Sequence, residues 1–532
     1  MALSIPDKTL VSWLIAWTLA STVSTLLLYI ATNEFVRYYN RIPNLPGPRG
    51  WPLVGSLPYL SSRIPAEEYR RWASRYGDVF QVQLGNTTTV VVNSASAARA
   101  FFISQREATN GRPKFYVLHN KVQKGSSVTS IGTSGWDHSC KRRRKIAATA
   151  LNKASVESYL PILDLESRAF LQDLITASRG GTESSINVLD ACHKFALNLS
   201  LTLSYGTRVD DVKDLHDDLL LSEILYIEEM IMKYRDISGN YLNYIPLLRP
   251  FSRLSEMLGL SKGEKLMASV GKRSIQGNVL KDPESKGLSE GELLSISMSM
   301  MAGSDTTKRS LLWSMQILAH RQDIQEKAFQ SIREQGSGIL TSPNVAHTNI
   351  AYIEALVKEI GRYFVVLRLA LPKATHGTVK WEGASIPPNT MLLLNTWACN
   401  RGINTDRLPC MVAVPLEKMT VTLTRKTNPD TEVFPDANVF DPQRWLDGDS
   451  LHRHQFAFGM GGRMCVASHV ASKALYTVLL HLIAHFKILP EDGALDSTDC
   501  DPLEGLLSKG NHQAAPAATR VKLEVRDVGL AA

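Results

Sequence analysis

The sequence predicts a mainly α-helical protein with a small β-sheet region, carried behind one N-terminal transmembrane helix. Three observations predict it. No charged residue occurs between Lys8 and Glu34. Long segments with the apolar period of a helix dominate the rest, and strand-like runs are few and short. The composition is globular, with 44% hydrophobic and 21% charged residues in 532, which excludes a disordered, collagen-like or coiled-coil chain. Six cysteines show no paired spacing, so neither a disulfide framework nor a zinc module is indicated. The formal charge of +8 is too small and too scattered to imply nucleic-acid binding.

The apolar run Thr9 to Asn33 is long enough to cross a hydrocarbon core of about 30 Å at about 1.5 Å per residue. Residues 1–8 then form a luminal N-terminus, and 9–33 an uncleaved anchor. A signal peptide is the competing reading, but its apolar core is shorter and ends in a small-residue cleavage site. Trp13, Trp17 and Tyr29 suit a headgroup region. Arg37, Arg41 and Arg49 follow the run, and this positive-inside bias puts the body in the cytosol. Residues 34–52 hold Pro43, Pro46, Pro48 and Pro52, a stiff non-helical hinge. No second linker divides 53–532.

Within that body, helix-period segments run over Ala66–Tyr76, Ala95–Ser104, Ser155–Ala177, Ile186–Tyr205, Leu288–His320, Ala346–Arg362 and Val466–Phe486. Strand-like runs occupy Val79–Leu84, Thr88–Val92, Met391–Asn395 and Arg520–Val525. The central segment opens on Ser289 and Glu292, a capping box. In its middle stands Ala302-Gly303-Ser304-Asp305-Thr306-Thr307. These are poor interior helix residues whose side chains compete for backbone carbonyls. Apolar neighbours on both sides favour a buried polar notch over a solvent-facing turn.

Near the C-terminus stands Phe458-Gly459-Met460-Gly461-Gly462-Arg463-Met464-Cys465. Its glycines let a loop bend tightly and approach a flat ligand. Cys465 opens a helical pattern, where a thiolate gains from the helix dipole and from Arg463. Such a cysteine is a metal ligand or a nucleophile; a buried inert cysteine is the plainer alternative.

Phe458-x-x-Gly461-x-Arg463-x-Cys465 resembles the haem-binding loop of the cytochrome P-450 monooxygenases. Three further matches fall in the family's order. The notch at Ala302–Thr307 resembles the oxygen-activation motif. Glu359-x-x-Arg362 resembles the ExxR pair, and Phe440-x-Pro442-x-Arg444-Trp445 resembles the meander. The anchor and hinge are similar to those of the microsomal class. Segments such as YGDVFQVQLGN and NTWACN are similar to fungal hydroxylases of the phenylacetate type.

The resemblance implies the cytochrome P-450 fold, with Cys465 as axial ligand of the iron of haem b. It implies that Asp305 and Thr306 pass protons to haem-bound dioxygen. Glu359, Arg362 and Arg444 would form a buried ion network holding the cysteine loop. The haem propionates would be met by Lys373 and by inner residues of the Lys141–Lys145 run, Lys141 and Arg142 being the candidates. The spacing from Trp136 is not the family's usual one, which leaves the choice among these basic residues open. Outer residues of the run would face an acidic reductase rather than a nucleic acid. The implied activity is O2-dependent oxidation of a small aromatic or polyketide-type secondary metabolite in the endoplasmic reticulum membrane. Electrons would come from NADPH-cytochrome reductase, with cytochrome b5 as a second donor. Dehydration or isomerisation on the same fold is the alternative. Substrate would meet stretches Arg112–Ser127, Ser297–Gly303, Val365–Leu371 and Asn511–Ala517. Arg368 is either an anchor for an anionic substrate or a structural arginine.

Two departures stand out. Ala467 replaces the glycine usual two positions after the cysteine. More seriously, a long segment separates Asn400-Arg401 from Phe434-Pro435-Asp436. Residues 402–426 are either a surface insertion or translated non-coding sequence that leaves an inactive product. Joining Arg401 to Thr427 restores the expected spacing.

Overall fold

The structure, a computed structural model, describes residues 8–122, 130–181, 185–219, 221–222, 225–226, 239–252, 289–335, 345–402, 434–446, 454–491, 498–509 and 513–526. Apart from Gly402, the segment 402–426 therefore lies outside the described residues.

Helix α1 spans Lys8–Tyr39. Its stretch Ser12–Tyr39 is the one described helix long and apolar enough to cross a membrane, and Ser12 to Leu28 are exposed. The helix runs past Asn33 into the expected hinge, because no proline intervenes before Pro43 and Glu34 pairs with Arg37 one turn on at 2.6 Å. The connector that follows is docked. Arg37 also donates to Trp51 O at 3.1 Å, and the Gln81 side chain holds both Ile42 N and Ile42 O.

Helix α2 (Pro65–Tyr76) begins on the proline that best starts a helix. Strands β1 (Val79–Leu84) and β2 (Thr87–Val92) form a hairpin. The predicted helix 95–104 is α-helical to Arg99 and widens to a π turn over Ala100–Ser104. Helices α3 (His138–Ala150), α4 (Lys153–Ala177) and α5 (Leu189–Tyr205) follow. Strand β3 (Ile186–Asn187) takes the first residues of the predicted 186–205 helix, because it pairs with the C-terminal strand at Val521 and Arg520.

Helix α6 (Glu290–His320) is the axle of the fold. Every residue from Leu311 to His320 is buried, the mark of a helix surrounded by others. It packs on α5, while α4 packs on α9 (Ser468–His485). Helix α7 (Gln322–Arg333) is an amphipathic helix absent from the sequence prediction, and α8 (Ala351–Phe364) carries Glu359 and Arg362.

The remaining strands are short: β4 (Lys373–Ala374), β5 (Val379–Trp381), β6 (Ala384–Ile386), β7 (Met391–Leu394), β8 (Phe486–Pro490) and β9 (Arg520–Val525). One sheet runs β1-β2-β7-β4, a second β3-β9-β8 and a third β5-β6. The first brings Lys373 to its edge.

Candidate active site

A cavity of about 710 Å³ lies between the middle of α6 and the loop before α9. The N-terminus of α6 is fixed by the capping box: Ser289 and Glu292 bond each other's backbone N–H groups. Burial opposes ionisation of Glu292. Bonds from Ser139, Ser289 N and Arg142 outweigh that burial and hold its carboxyl at about 2. In the notch, the hydroxyls of Thr306 and Thr307 both donate to Gly303 O, at 3.1 and 2.9 Å. Ala302, Gly303, Thr306 and Thr307 line the cavity, and a methyl group at Gly303 would meet nothing within 4 Å.

Asp305 does not join Thr306 at the cavity wall. It is buried, and its carboxylate pairs with Lys308 and Arg309, each at 3.0 Å. Burial raises its pKa, but Arg309 and Lys308 outweigh this and hold it below the usual carboxylate value. Of the two residues expected to face one ligand, Thr306 alone borders the cavity. Two cations at i+3 and i+4 draw Asp305 along the helix surface.

The opposite wall is the cysteine loop. Cys465 N donates to Phe458 O at 3.0 Å and Met464 N to Gly461 O at 2.9 Å. Gly461 has φ +78°, and a Cβ there would lie 2.2 Å from Phe102 O; only glycine fits so close a backbone approach. The Cys465 sulfur opens onto the cavity while protein encloses it from behind. Burial raises the thiol pKa, offset in part by the Ala467 amide and Arg144. The expected helix-dipole benefit is smaller than predicted, since α9 starts only at Ser468.

Arg112, Arg144, Lys373 and Arg463 face the same cavity. Lys373 Nζ donates to Met460 O at 2.7 Å. Burial, then Arg112, Arg463 and Arg144, push its pKa well down. Arg463 donates to Cys140 Sγ at 3.0 Å and Ser134 O at 2.6 Å, while its buried Nε has no acceptor. Lys373, Arg144 and Arg463 have no ion-pair partner among the described residues. Lys141 and Arg142, the sequence candidates, do not line the cavity: Lys141 lies over Trp136 and Arg142 pairs with Glu292. Cys140 and Ala147 set the inward face of α3, which turns those two outward and Arg144 toward the loop. Unmatched cations, an open thiol sulfur and a glycine cradle fit a flat group bearing carboxylates and a metal that binds sulfur.

Behind the loop, Arg362 bonds both oxygens of Glu359 at 2.7 Å. Arg444 Nε, Asp441 N and Trp445 Nε1 add bonds to the same carboxylate at 3.1, 2.9 and 2.9 Å. Arg362 also holds the carbonyls of Asn400, Ala437 and Val439.

The family model described as cytochrome P-450 matches residues 45–267, 272–403 and 413–514. The chain belongs to the cytochrome P-450 family. It is 37% identical over 514 residues to 3-hydroxyphenylacetate 6-hydroxylase of Emericella nidulans, covering 93% of this chain and 92% of that one. Phenylacetate 2-hydroxylase of the same organism is 34% identical, covering 88% and 89%. A cytochrome P-450 monooxygenase of Mycosarcoma maydis is 34% identical, covering 96% and 92%.

All four stretches predicted to face substrate in this P-450 reach the cavity, through Arg112, Ser299, Val366, Leu367, Leu371 and Gln513. Residues 123–129 and 510–512 lie outside the described residues. Arg368 does not meet it. It is buried, donates to Pro502 O, and lies 4.2 Å over the Trp397 ring. Burial lowers its pKa to about 9. Its structural role removes the anionic-substrate anchor. Sequence reasoning missed Arg144 as a cavity residue, although the helical phase of Cys140 and Ala147 carried the signal.

Proposed function

We propose that this P-450 is a haem-thiolate monooxygenase that hydroxylates a small aromatic acid or a phenolic or polyketide-type metabolite. The observation that carries the reading is the exposed Cys465 lining the same cavity as Thr306. Haem b would supply oxygen activation at an iron whose thiolate ligand donates electron density. Cys465 would hold the iron, and Arg112, Arg144, Lys373 and Arg463 would hold the propionates. Phe458 and Gly461 shape the loop that carries Cys465 and would hold the haem.

The chain's own groups then do limited work. The apolar cavity wall orients the substrate and excludes water. Thr306 can release its hydroxyl hydrogen from Gly303 O and offer it into the cavity. Asp305, tied to Lys308 and Arg309, acts on that proton only after one ion pair opens. Glu359, Arg362 and Arg444 keep the loop in place.

Electrons would come from NADPH-cytochrome reductase, with cytochrome b5 as a further donor, at the basic face around Lys141 and Lys145. Helix α1 supports a single-pass anchor in the endoplasmic reticulum membrane with the body cytosolic. The phenylacetate hydroxylases among its relatives support an aromatic acid as the substrate class.

Ferrous protein with carbon monoxide tests the site: a red-shifted thiolate Soret band is expected, and its absence refutes it. NADPH-driven turnover of phenylacetates and phenolic acids tests the reaction. Product formed without oxygen or reductant would instead support dehydration or isomerisation.

A further inference from the structure

Cys140 is fully buried on the inward face of α3, one helical turn before Arg144. That face grips the cysteine loop at two successive residues. Cys140 Sγ accepts from Arg463 Nη1 at 3.0 Å, and Arg144 Nη2 donates to Met464 O at 2.9 Å. Both grips fall immediately before Cys465.

The sulfur is itself fixed. Cys140 N donates at 2.7 Å to the side chain of Asp137, the cap that starts α3. The second hold on Arg463 is Ser134 O at 2.6 Å. Ser134 is secured by the same helix, since its Oγ accepts from Arg143 Nη2 at 3.1 Å and donates to Ser130 O at 2.8 Å. The Arg463 guanidinium also lies 5.2 Å from the centre of the Trp136 ring. Arg463 is thus placed from α3, is only 6% exposed, and borders the cavity.

Neither hydrogen-bond acceptor of Arg463 is a carboxylate. A cysteine sulfur is a weak acceptor, and each Nη keeps a second hydrogen. The side chain is therefore held while it can still donate to an arriving anion. A carboxylate at position 140 would hold it more tightly but would compensate its charge before any ligand came. A cysteine that only fills a core behaves as a small apolar group; this one meets a guanidinium.

We propose that Cys140 is a positioning residue: its sulfur holds Arg463, with its charge uncompensated, where the ligand of the cavity presents a carboxylate. This rests on the haem reading, a propionate being that carboxylate.

A double-substitution cycle tests it, with the parent, Cys140→Ala, Arg463→Leu and the two together. Cys140→Ser is the conservative variant that keeps an acceptor. Haem release from the loaded protein is followed by transfer to excess apomyoglobin. Cys140→Ala is expected to speed release about three- to tenfold, the effect of losing one weak hydrogen bond. Cys140→Ser should recover most of that difference, and Cys140→Ala should add nothing in the Arg463→Leu background. Equal acceleration in both backgrounds, or no recovery with Cys140→Ser, overturns the proposal. In the haem-free protein, Cys140→Ala should lower the melting temperature by about 1–2 °C, and only where Arg463 is present. A lower melting temperature with haem release unchanged means packing alone and also overturns it. The carbon monoxide band of the parent decides the haem reading separately. With the band present, an additive cycle removes only the role of Cys140. With the band absent, the haem reading fails, while the haem-free cycle still decides the Cys140–Arg463 contact.

Discussion

Glu359→Gln probes the network behind the cysteine loop with little change of shape. Glu359 and Arg362 are both 0% exposed, so water cannot take over any lost bond. The carboxylate accepts from two arginines, an indole N–H and a backbone N–H. A glutamine keeps one acceptor oxygen and turns an NH2 donor toward donors. Both arginines then lack a carboxylate, and breaking a buried pair of this kind costs about 3–5 kcal/mol. Total stability of a folded protein is about 5–15 kcal/mol, so about a fifth or more of it is at stake. Arg444→Met leaves the two-bond Glu359–Arg362 pair intact and should cost less. Urea denaturation gives the order of the two losses, and haem per protein reports the loop. A Glu359→Gln protein with full haem content and an unchanged urea midpoint would refute the reasoning.

Thr306→Ala should keep the fold but raise NADPH consumed per product, with hydrogen peroxide accounting for the difference; unchanged coupling removes Thr306 from proton handling. Lys308→Ala with Arg309→Ala leaves Asp305 to burial alone, which raises its pKa. Its folded value then exceeds the unfolded one of about 3.9, so the doubly substituted protein should lose stability as pH rises above that value, whereas the parent's Asp305 contribution is lost only at acid pH. Glu292 contributes stability above its unfolded pKa of about 4.3 that is lost as pH falls toward 2; Glu292→Gln should flatten the melting profile between pH 5 and 2. Lys373→Met removes a buried cation, so it should stabilise the haem-free protein or leave it unchanged. In the same variant haem retention should fall, and a lower melting point for its haem-free form would contradict the charge argument.

The parts legible in the sequence are those where chemistry forces unusual residues together. Three glycines, an arginine and a cysteine within eight positions announced the loop at Phe458–Cys465. A run of poor helix formers inside a long helix announced the notch at Gly303. What failed was orientation. Asp305 was read from its neighbour Thr306, while Lys308 and Arg309 at the i+3 and i+4 spacings had the stronger claim on it. Lys141 and Arg142 were read as inward because they are basic, although the buried Cys140 and Ala147 fix the opposite phase. Strands β4 to β6 are two or three residues long, too short to show a period. Pairing partners far along the chain define them, and a single sequence does not name those partners.

Two groups of cations with no ion-pair partner among the described residues occur in this protein, and their surroundings separate them. Lys373, Arg144 and Arg463 border a cavity of about 710 Å³, so a bound molecule can bring the missing negative charge. Arg368 and Arg401 crowd one tryptophan ring and do not border that cavity. There the Glu67 carboxylate accepts from Trp397 Nε1 at 2.7 Å, and Glu67 and Asp501 partly offset the effect of burial on Arg368. The same physical rule, that an ion taken out of water needs a partner, therefore points to a cofactor at one place and to the chain's own carboxylates at the other. Loading with haem should raise the melting temperature through the first group and leave the effect of Arg401→Leu on melting unchanged. If haem binding altered the sign of that effect, the two clusters would be one coupled site and the separation would fail.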